Sequence, residues 1–517
     1  MKSLYDKLVS YSESDYYGFH MPGDKRNMRM MDADLPYNID ITEIEGFDDL
    51  HHATGILKQA QIRAAKLYKA EKTCFLVNGS TGGILSAILG CTKKGDRILV
   101  ARNCHKSVYH AIFLNELIPV YVYPTFYPEM ELNGEIAVEK VEKMLAQYPD
   151  VKAVVITSPT YDGVISDVEG IAAAAHAAGV PLIVDEAHGA HLGFHPYFTD
   201  NANTKGADLV IHSLHKTLPA LTQTALLHMN GSRIDKKRIR SYLDMLQTSS
   251  PSYVLMSSID VCIELLEKRG DEVFAEYTKL LDAVRAELAQ MKCLKLLETT
   301  HYDRSKIVIS VKDTDYTSGR LYRELLDTYH LQMEMVAGSY ILAITTIGDT
   351  EDGMRRFVTA LKEIDQKIYD DEVLHNDEVL RNDKALYNDR LGNDQAGKCS
   401  TVGTQQTTEQ PRAAEKPSHY AIPKTEVVHS SAVMAKMVNE AVVNARKGTD
   451  VKTFPWNQCV GHISTEYAYL YPPGSPLLVP GERISQEVVD MLECYREQKF
   501  RIEGLETENS VEVWINE

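Results

Sequence analysis

Between residues 53 and 230 the chain alternates short, wholly apolar runs with longer stretches whose apolar residues recur at helical spacing. A helical pattern over 53–70 leads to a strand at 74–77, which a Gly/Ser/Thr turn, NGSTGG, converts into an apolar helix, ILSAILG. Residues 97–101 predict a strand, HKSVYHAIFLN a helix, PVYVYP a strand and 135–147 a helix. Further strands are predicted at 151–157, 181–184, 208–212 and 224–228, with an Ala-rich helix over 168–178. Strands that are apolar throughout belong to a sheet covered on both faces. The strand–helix rhythm predicts an α/β fold built on a mostly parallel sheet.

The pattern changes on either side of this region. Residues 1–50 are polar, irregular and rich in Tyr and Met, and predict an N-terminal arm rather than a core. From 271 the order becomes helix (271–291), strand KIVISV, helix SGRLYRELLDTY, strands around LQMEMV and YILAITT, and helix 351–367, a smaller α+β unit. In 370–420, DEVL repeats and Asn-Asp recurs without holding one face of a helix, and a Ser/Thr/Gln/Gly/Pro stretch follows. This composition predicts a disordered acidic linker with at most transient helix. The expected units are therefore 1–50 (arm), 51–270 (major domain), 271–368 (small α+β domain), 369–420 (linker) and 421–517 (a C-terminal module rich in strand and turn signals).

The chemistry concentrates in PLIVDEAHGAH and GADLVIHSLHK. The first is a buried strand ending in Asp185 and Glu186; the second is a strand followed by Ser213, His215 and Lys216. Acid and lysine then share the carboxyl edge of one sheet, where open α/β sheets bind ligands. Pyridoxal phosphate needs such a pair: a lysine to form the Schiff base, and an acid to keep the ring nitrogen protonated so that the ring acts as an electron sink. The turn at Ser80 and Thr81 offers backbone N–H groups and hydroxyls to a phosphate, although such residues also serve as plain helix caps. Two other readings of the same stretch fare worse. A DEAH-box helicase needs a phosphate loop ending Gly-Lys-Ser/Thr, and the one Gly-Lys pair, Gly397-Lys398, precedes Cys399. A metal held by Asp185, His188 and His191 at helical spacing leaves Lys216 unexplained.

Composition narrows the setting. The chain has 517 residues, is 44% hydrophobic and 25% charged, and carries a net charge of −18, which argues against general nucleic-acid binding and fits a cationic substrate. Its eight scattered cysteines include no Cys-x-x-Cys pair and suggest free thiols in a reducing compartment. The N-terminal residues lack the apolar core of a signal peptide, and no run reaches the length of a membrane span, so a cytoplasmic protein is expected.

The motifs HMPGDK, DITEIEGFDDLH, FLVNGST, RNCHKS, SPTYDG, DEAHGAH, HSLHKTLPALTQ, SSPSY and YPPGSPLLVPGE occur in that order. In this succession the chain resembles the Orn/Lys/Arg decarboxylase family, in its shorter bacterial form without an N-terminal wing. The resemblance implies the pyridoxal-phosphate fold type I (aspartate-aminotransferase-like), with a smaller α+β domain and a C-terminal α+β decarboxylase module. It assigns Lys216 to the covalent link with the cofactor and Asp185 to the ring nitrogen. Ser80, Thr81, Ser213 and His215 go to the phosphate, His105 to stacking on the ring, and Ala187 to the opposite face. His188 is expected beside the ring oxygen or the substrate carboxylate. On local grounds alone, His105 reads more readily as a helix cap than as a stacking residue, and Tyr161 as a residue that approaches the cofactor or merely turns the chain. The chain departs from the family pattern at Asp24, where a second histidine is usual, and at Ser475, where an apolar residue is common.

The expected activity is decarboxylation of a basic L-amino acid to its amine with release of CO2, arginine first and lysine or ornithine next. Glu482 and Asp24 are candidates to receive the distal cation. The resemblance also implies at least a homodimer, with Thr222-Gln223 and Ser250-Pro251-Ser252 at the seam. No metal, nucleic-acid or membrane partner is expected. The competing readings are another fold type I reaction, aminotransfer or aldol-type cleavage, and a catalytically silent regulatory homologue. The silent reading conflicts with the retention of both Lys216 and Asp185.

Overall fold

The structure is a computed structural model, and it describes residues 3–14, 21–22, 35–393, 420–444, 447–470 and 474–515. Its centre is a seven-stranded sheet. In chain order the strands are β1 (Lys72–Leu76), β2 (Arg97–Ala101), β3 (Ile118–Val122), β4 (Val151–Thr157), β5 (Leu182–Asp185), β6 (Leu209–Ser213) and β7 (Ala225–Met229). They lie in the order β1-β7-β6-β5-β4-β2-β3. All run parallel except β7, which is antiparallel to both of its neighbours. The apolar runs of the central strands are buried on both faces, Leu99, Val154, Ile183 and Val210 among them, as expected for a sheet with helices on each side. The register pairs Thr157 with Asp185 and Asp185 with Ile211. The ends of β4, β5 and β6 therefore open side by side at one edge.

The smaller unit is a four-stranded antiparallel sheet that includes Lys306–Ser310, Met335–Ala337 and Tyr340–Ile344. The C-terminal residues form a five-stranded and a three-stranded sheet with helices Ser431–Val443 and Gln486–Glu497.

Three expectations change. Residues 3–12 are not a loose arm. Ser3 and Asp6 close a capping box at the start of the helix Leu4–Ser12, and Leu4 and Leu8 are fully buried against the core that includes Met256 and Ile259. The Leu4 N–H donates to Asp260 Oδ2 at 2.9 Å, and Asp260 also pairs with Arg63. A nine-residue helix with two buried leucines was hidden among Tyr, Ser and Asp, residues of low helical contrast. Second, one helix, Tyr253–Leu288, runs unbroken through residue 270 and joins the large and small units. Third, the helix that begins at Glu351 continues to Asn393, past the start of the expected linker. From 369 to 393 there is no proline and only one glycine, Gly392, so nothing local stops the backbone ladder even though no apolar face persists. The rest of the expected linker, 394–419, lies outside the described residues. No helix among the described residues is long and apolar enough to cross a membrane.

Candidate active site

A cavity of about 520 Å³ opens at the carboxyl edge of β4, β5 and β6, whose last residues, Thr157, Asp185 and Ser213, line it. Residues of the small sheet, such as Met335 and Tyr340, and of the C-terminal unit, such as Leu470 and Tyr495, complete its walls. All nine residues singled out from the sequence (Ser80, Thr81, His105, Asp185, Ala187, His188, Ser213, His215 and Lys216) line this one cavity.

Lys216 lies in a single helical turn, Leu214–Thr217, that follows β6 directly. Its Nζ is 2.9 Å from His188 Nε2. Burial lowers the Lys216 pKa from its ordinary value, while the Asp185 carboxylate pulls it back up. Burial likewise raises Asp185, against Lys216 and against the Ala187 N–H, which donates to Asp185 Oδ1 at 3.2 Å. Burial also holds His188 well below its ordinary pKa, with the nearby Lys216 next in effect, so its imidazole is neutral. The site thus contains an amine that loses its proton more readily than a solvated lysine, beside a neutral ring able to exchange a proton with it. The Tyr161 ring packs on His188 with centroids 4.4 Å apart, so this tyrosine does approach the cavity.

Beneath these groups, Lys306 is fully buried and bonds Asp303 Oδ2 at 2.9 Å, and Asp303 Oδ1 lies 3.0 Å from His191 Nε2. His188 and His191 therefore turn to different partners and do not converge with Asp185.

The other end of the cavity offers donors. β1 turns through Gly79, whose φ of +66° favours glycine, into the helix Gly79–Cys91. Asn78 holds the cap position, which places Ser80 and Thr81 in the first turn rather than at the cap. N–H groups of a first helical turn have no acceptor within the helix. Opposite them, Ser213 Oγ is buried without a partner. His215 Nδ1 lies 3.0 Å from the Thr224 carbonyl, which it reaches as a donor. His105 caps its helix and also lines the cavity. Its Nδ1 caps the helix Lys106–Leu114 by accepting from the Ser107 N–H at 3.2 Å, and the ring still lines the cavity. Burial first, and Lys216 second, push its pKa down to about 4.

One candidate is misplaced. Glu482 does not line the cavity; it is buried against Arg102, 3.1 Å from Nη2, and also accepts from the Val479 N–H. Its position in the PGE motif looked like that of an acid near the site, but the nearest buried cation claims it. Asp24 lies outside the described residues. Sequence reasoning passed over Asn103, Asp162 and Tyr340, all of which line the cavity. Asp162 was the most accessible of these, standing in SPTYDG just after the end of β4. Thr222 and Gln223, expected at a subunit seam, line the cavity too.

Comparison with known proteins agrees with this arrangement. Residues 2–329 match the Orn/Lys/Arg decarboxylase major domain and residues 424–510 the C-terminal domain of the same family. The chain is 31% identical to an arginine decarboxylase of Bacillus subtilis over 503 residues, 95% of this chain and 92% of that one. It is 30% identical to an arginine decarboxylase of Halalkalibacterium halodurans, over 93% of this chain and 91% of the other. The fold superposes on the crystal structure of the Francisella novicida lysine decarboxylase with a TM-score of 0.78, at 19% identity, covering 99% of this chain and 81% of that one. The chain belongs to the Orn/Lys/Arg decarboxylase family.

Proposed function

We propose that the protein decarboxylates a basic L-amino acid with pyridoxal phosphate, arginine first and lysine or ornithine next. The observation that carries the reading is a half-buried lysine, Lys216, just beyond one strand end and a buried aspartate, Asp185, at the end of the adjacent parallel strand, both lining one cavity. The arginine decarboxylases of Bacillus subtilis and Halalkalibacterium halodurans, similar over nearly the full chain, support the order of substrates.

The residues present fit the cofactor. Ser213 Oγ, buried and unpartnered, faces a cavity that also receives the first turn of a helix, an arrangement suited to a phosphate. Ser80, Thr81, Ser213 and His215 would hold the phosphate, Lys216 the aldehyde carbon, and Asp185 the proton of the ring nitrogen. His105 would cover one face of the ring and Ala187 the other, where a larger side chain would leave no room. When bound, pyridoxal phosphate supplies the sink for the electron pair released from the Cα–CO2 bond.

The chain's own contribution is positional and electrostatic. Asp185, in a site where burial works against its charge, forms its strongest interactions with a cation, here a protonated ring nitrogen. The apolar wall that includes Met335 and Leu477 disfavours a free carboxylate and favours its departure as CO2. The Lys216–His188 pair is placed to hold a proton and return it to Cα.

The cavity draws on the large unit, the small sheet and the C-terminal unit, so we assign the reaction to the chain as a whole, acting as a homodimer or larger assembly in the cytoplasm. The test is Lys216→Ala. The variant is expected to lose both the visible absorbance of lysine-bound cofactor and CO2 release. Full activity in the variant contradicts the assignment.

A further inference from the structure

With Glu482 engaged by Arg102, the distal cation of the substrate needs another acid. Among the described residues two carboxylates line the cavity, Asp185 and Asp162. Asp185 sits at the strand edge beside Lys216; Asp162 has no role in the reading above. We infer that Asp162, held by Tyr340, receives the distal guanidinium or ammonium group of the substrate and sets the preference for basic side chains. This inference rests on the proposed function and names the specificity residue of the same site.

The local backbone aims Asp162 into the cavity. Gly163, next in the chain, has φ +99°, and a Cβ there would come within 2.9 Å of Lys306 Cγ and 3.0 Å of Tyr302 Cζ. The loop therefore packs tightly on the small unit through a residue without a side chain. Tyr340 begins a strand of that unit and donates from its hydroxyl to Asp162 Oδ1 at 2.7 Å. The bond fixes one oxygen of a carboxylate that lines the cavity.

The electrostatics favour a cation at this point. Among the described residues no cation is paired with Asp162. Burial pushes its pKa up to about 6, although the Tyr340 hydroxyl opposes the shift. A half-buried carboxylate without a counter-ion carries part of the cost of burying a charge, and an incoming guanidinium or ammonium relieves it. The surroundings suit such a group. Tyr161, Tyr340, Tyr420 and Tyr495 offer aromatic faces, and Met335 and Met491 offer apolar contact for a methylene stem. Glu334, the other acid close by, is exposed and accepts the Tyr161 hydroxyl.

The experiment uses the cofactor-loaded protein and whichever of L-arginine, L-lysine or L-ornithine the wild type decarboxylates best, beside its neutral isostere: L-citrulline, L-2-aminoheptanoate or L-norleucine, respectively. Asp162→Asn keeps an acceptor for Tyr340 and removes the charge. It is expected to raise KM for the basic substrate roughly 30-fold and to lower the preference over the isostere by a similar factor. Its visible cofactor absorbance should be retained and kcat should stay within about threefold, because the cation is held in ground state and transition state alike. Tyr340→Phe keeps the carboxylate but removes the bond that holds it, and is expected to lower that preference by less than Asp162→Asn does. A preference unchanged in Asp162→Asn, a loss confined to kcat, or a larger loss of preference in Tyr340→Phe than in Asp162→Asn overturns the assignment of Asp162. A wild type that releases CO2 from none of the three basic amino acids overturns the proposed function and this inference with it. A wild type that does so, with an indifferent Asp162→Asn, overturns the inference alone.

Discussion

Arg102 and Glu482, separated by 380 positions, form a buried ion pair that fastens the C-terminal unit to the sheet carrying the active site. The guanidinium also donates to the carbonyls of Pro476, at 2.5 Å, and Leu477, at 3.3 Å. Arg102 ends no strand by chance: it directly follows β2 and precedes Asn103 and His105, which line the cavity. The RNCHKS motif and residues 474–482 are thus two halves of one joint, and the joint supports one wall of the site.

Breaking one side of that joint leaves a buried charge unpaired. Glu482→Ala is expected to destabilise the protein by about 3 kcal/mol, whereas replacing both partners with apolar residues, Arg102→Met with Glu482→Leu, should recover much of the loss. Urea unfolding followed by circular dichroism measures both. Equal losses in the single and double variants would show that the pair itself is not what matters.

Ser213 provides a cleaner view of cofactor retention. Its hydroxyl is buried without a partner, so Ser213→Ala should leave the stability of the cofactor-free protein unchanged or slightly higher. The same change should weaken pyridoxal phosphate binding by about tenfold, through loss of one hydrogen bond to a charged group. Absorbance titration of the cofactor-free protein reads the affinity, and thermal melts read the stability. An unaltered affinity contradicts a role at the phosphate.

A second buried network makes a prediction about pH. Glu186 Oε2 lies 2.7 Å from His212 Nε2, His212 Nδ1 lies 3.0 Å from His228 Nε2, and His228 Nδ1 lies 2.7 Å from Thr73 Oγ1. Burial pushes Glu186 up to about 8 and His212 down to about 3, so at neutral pH the pair is a carboxylic acid donating to a neutral imidazole. One proton per ring then runs in a single direction to Thr73. Glu186 binds its proton more tightly folded than unfolded, where its pKa is near 4.5. Its stabilising contribution is therefore complete below that value and disappears as pH rises through about 8. Glu186→Gln keeps a donor for His212 and cannot ionise. Wild type and variant should match in stability at pH 5, and the variant should gain on the wild type by about 4 kcal/mol at pH 9. Parallel pH profiles for the two proteins would contradict this protonation state.

The legible part of the molecule was the part where one physical rule dominates. Buried parallel strands are apolar throughout, so β2 and β4 to β6 can be read directly, and the residues at their carboxyl ends follow. What escaped depended on distant partners. Leu4 and Leu8 become core residues only because Tyr253–Leu288 passes beneath them, anchored through Asp260. Glu482 looked free to meet a substrate because nothing local announces Arg102. Asp162 stands in SPTYDG just after β4, but its orientation depends on Gly163 packing on Lys306 and on Tyr340 reaching across from another unit. The reversal of β7 was also invisible, since an apolar run carries no mark of direction.

The most direct measurement of the central claim is CO2 release by the purified protein with pyridoxal phosphate on L-arginine, L-lysine and L-ornithine separately. The account predicts release from at least one, with arginine the first choice. A protein that takes up the cofactor and turns yellow but releases CO2 from none of the three would contradict it and point to a different fold type I reaction.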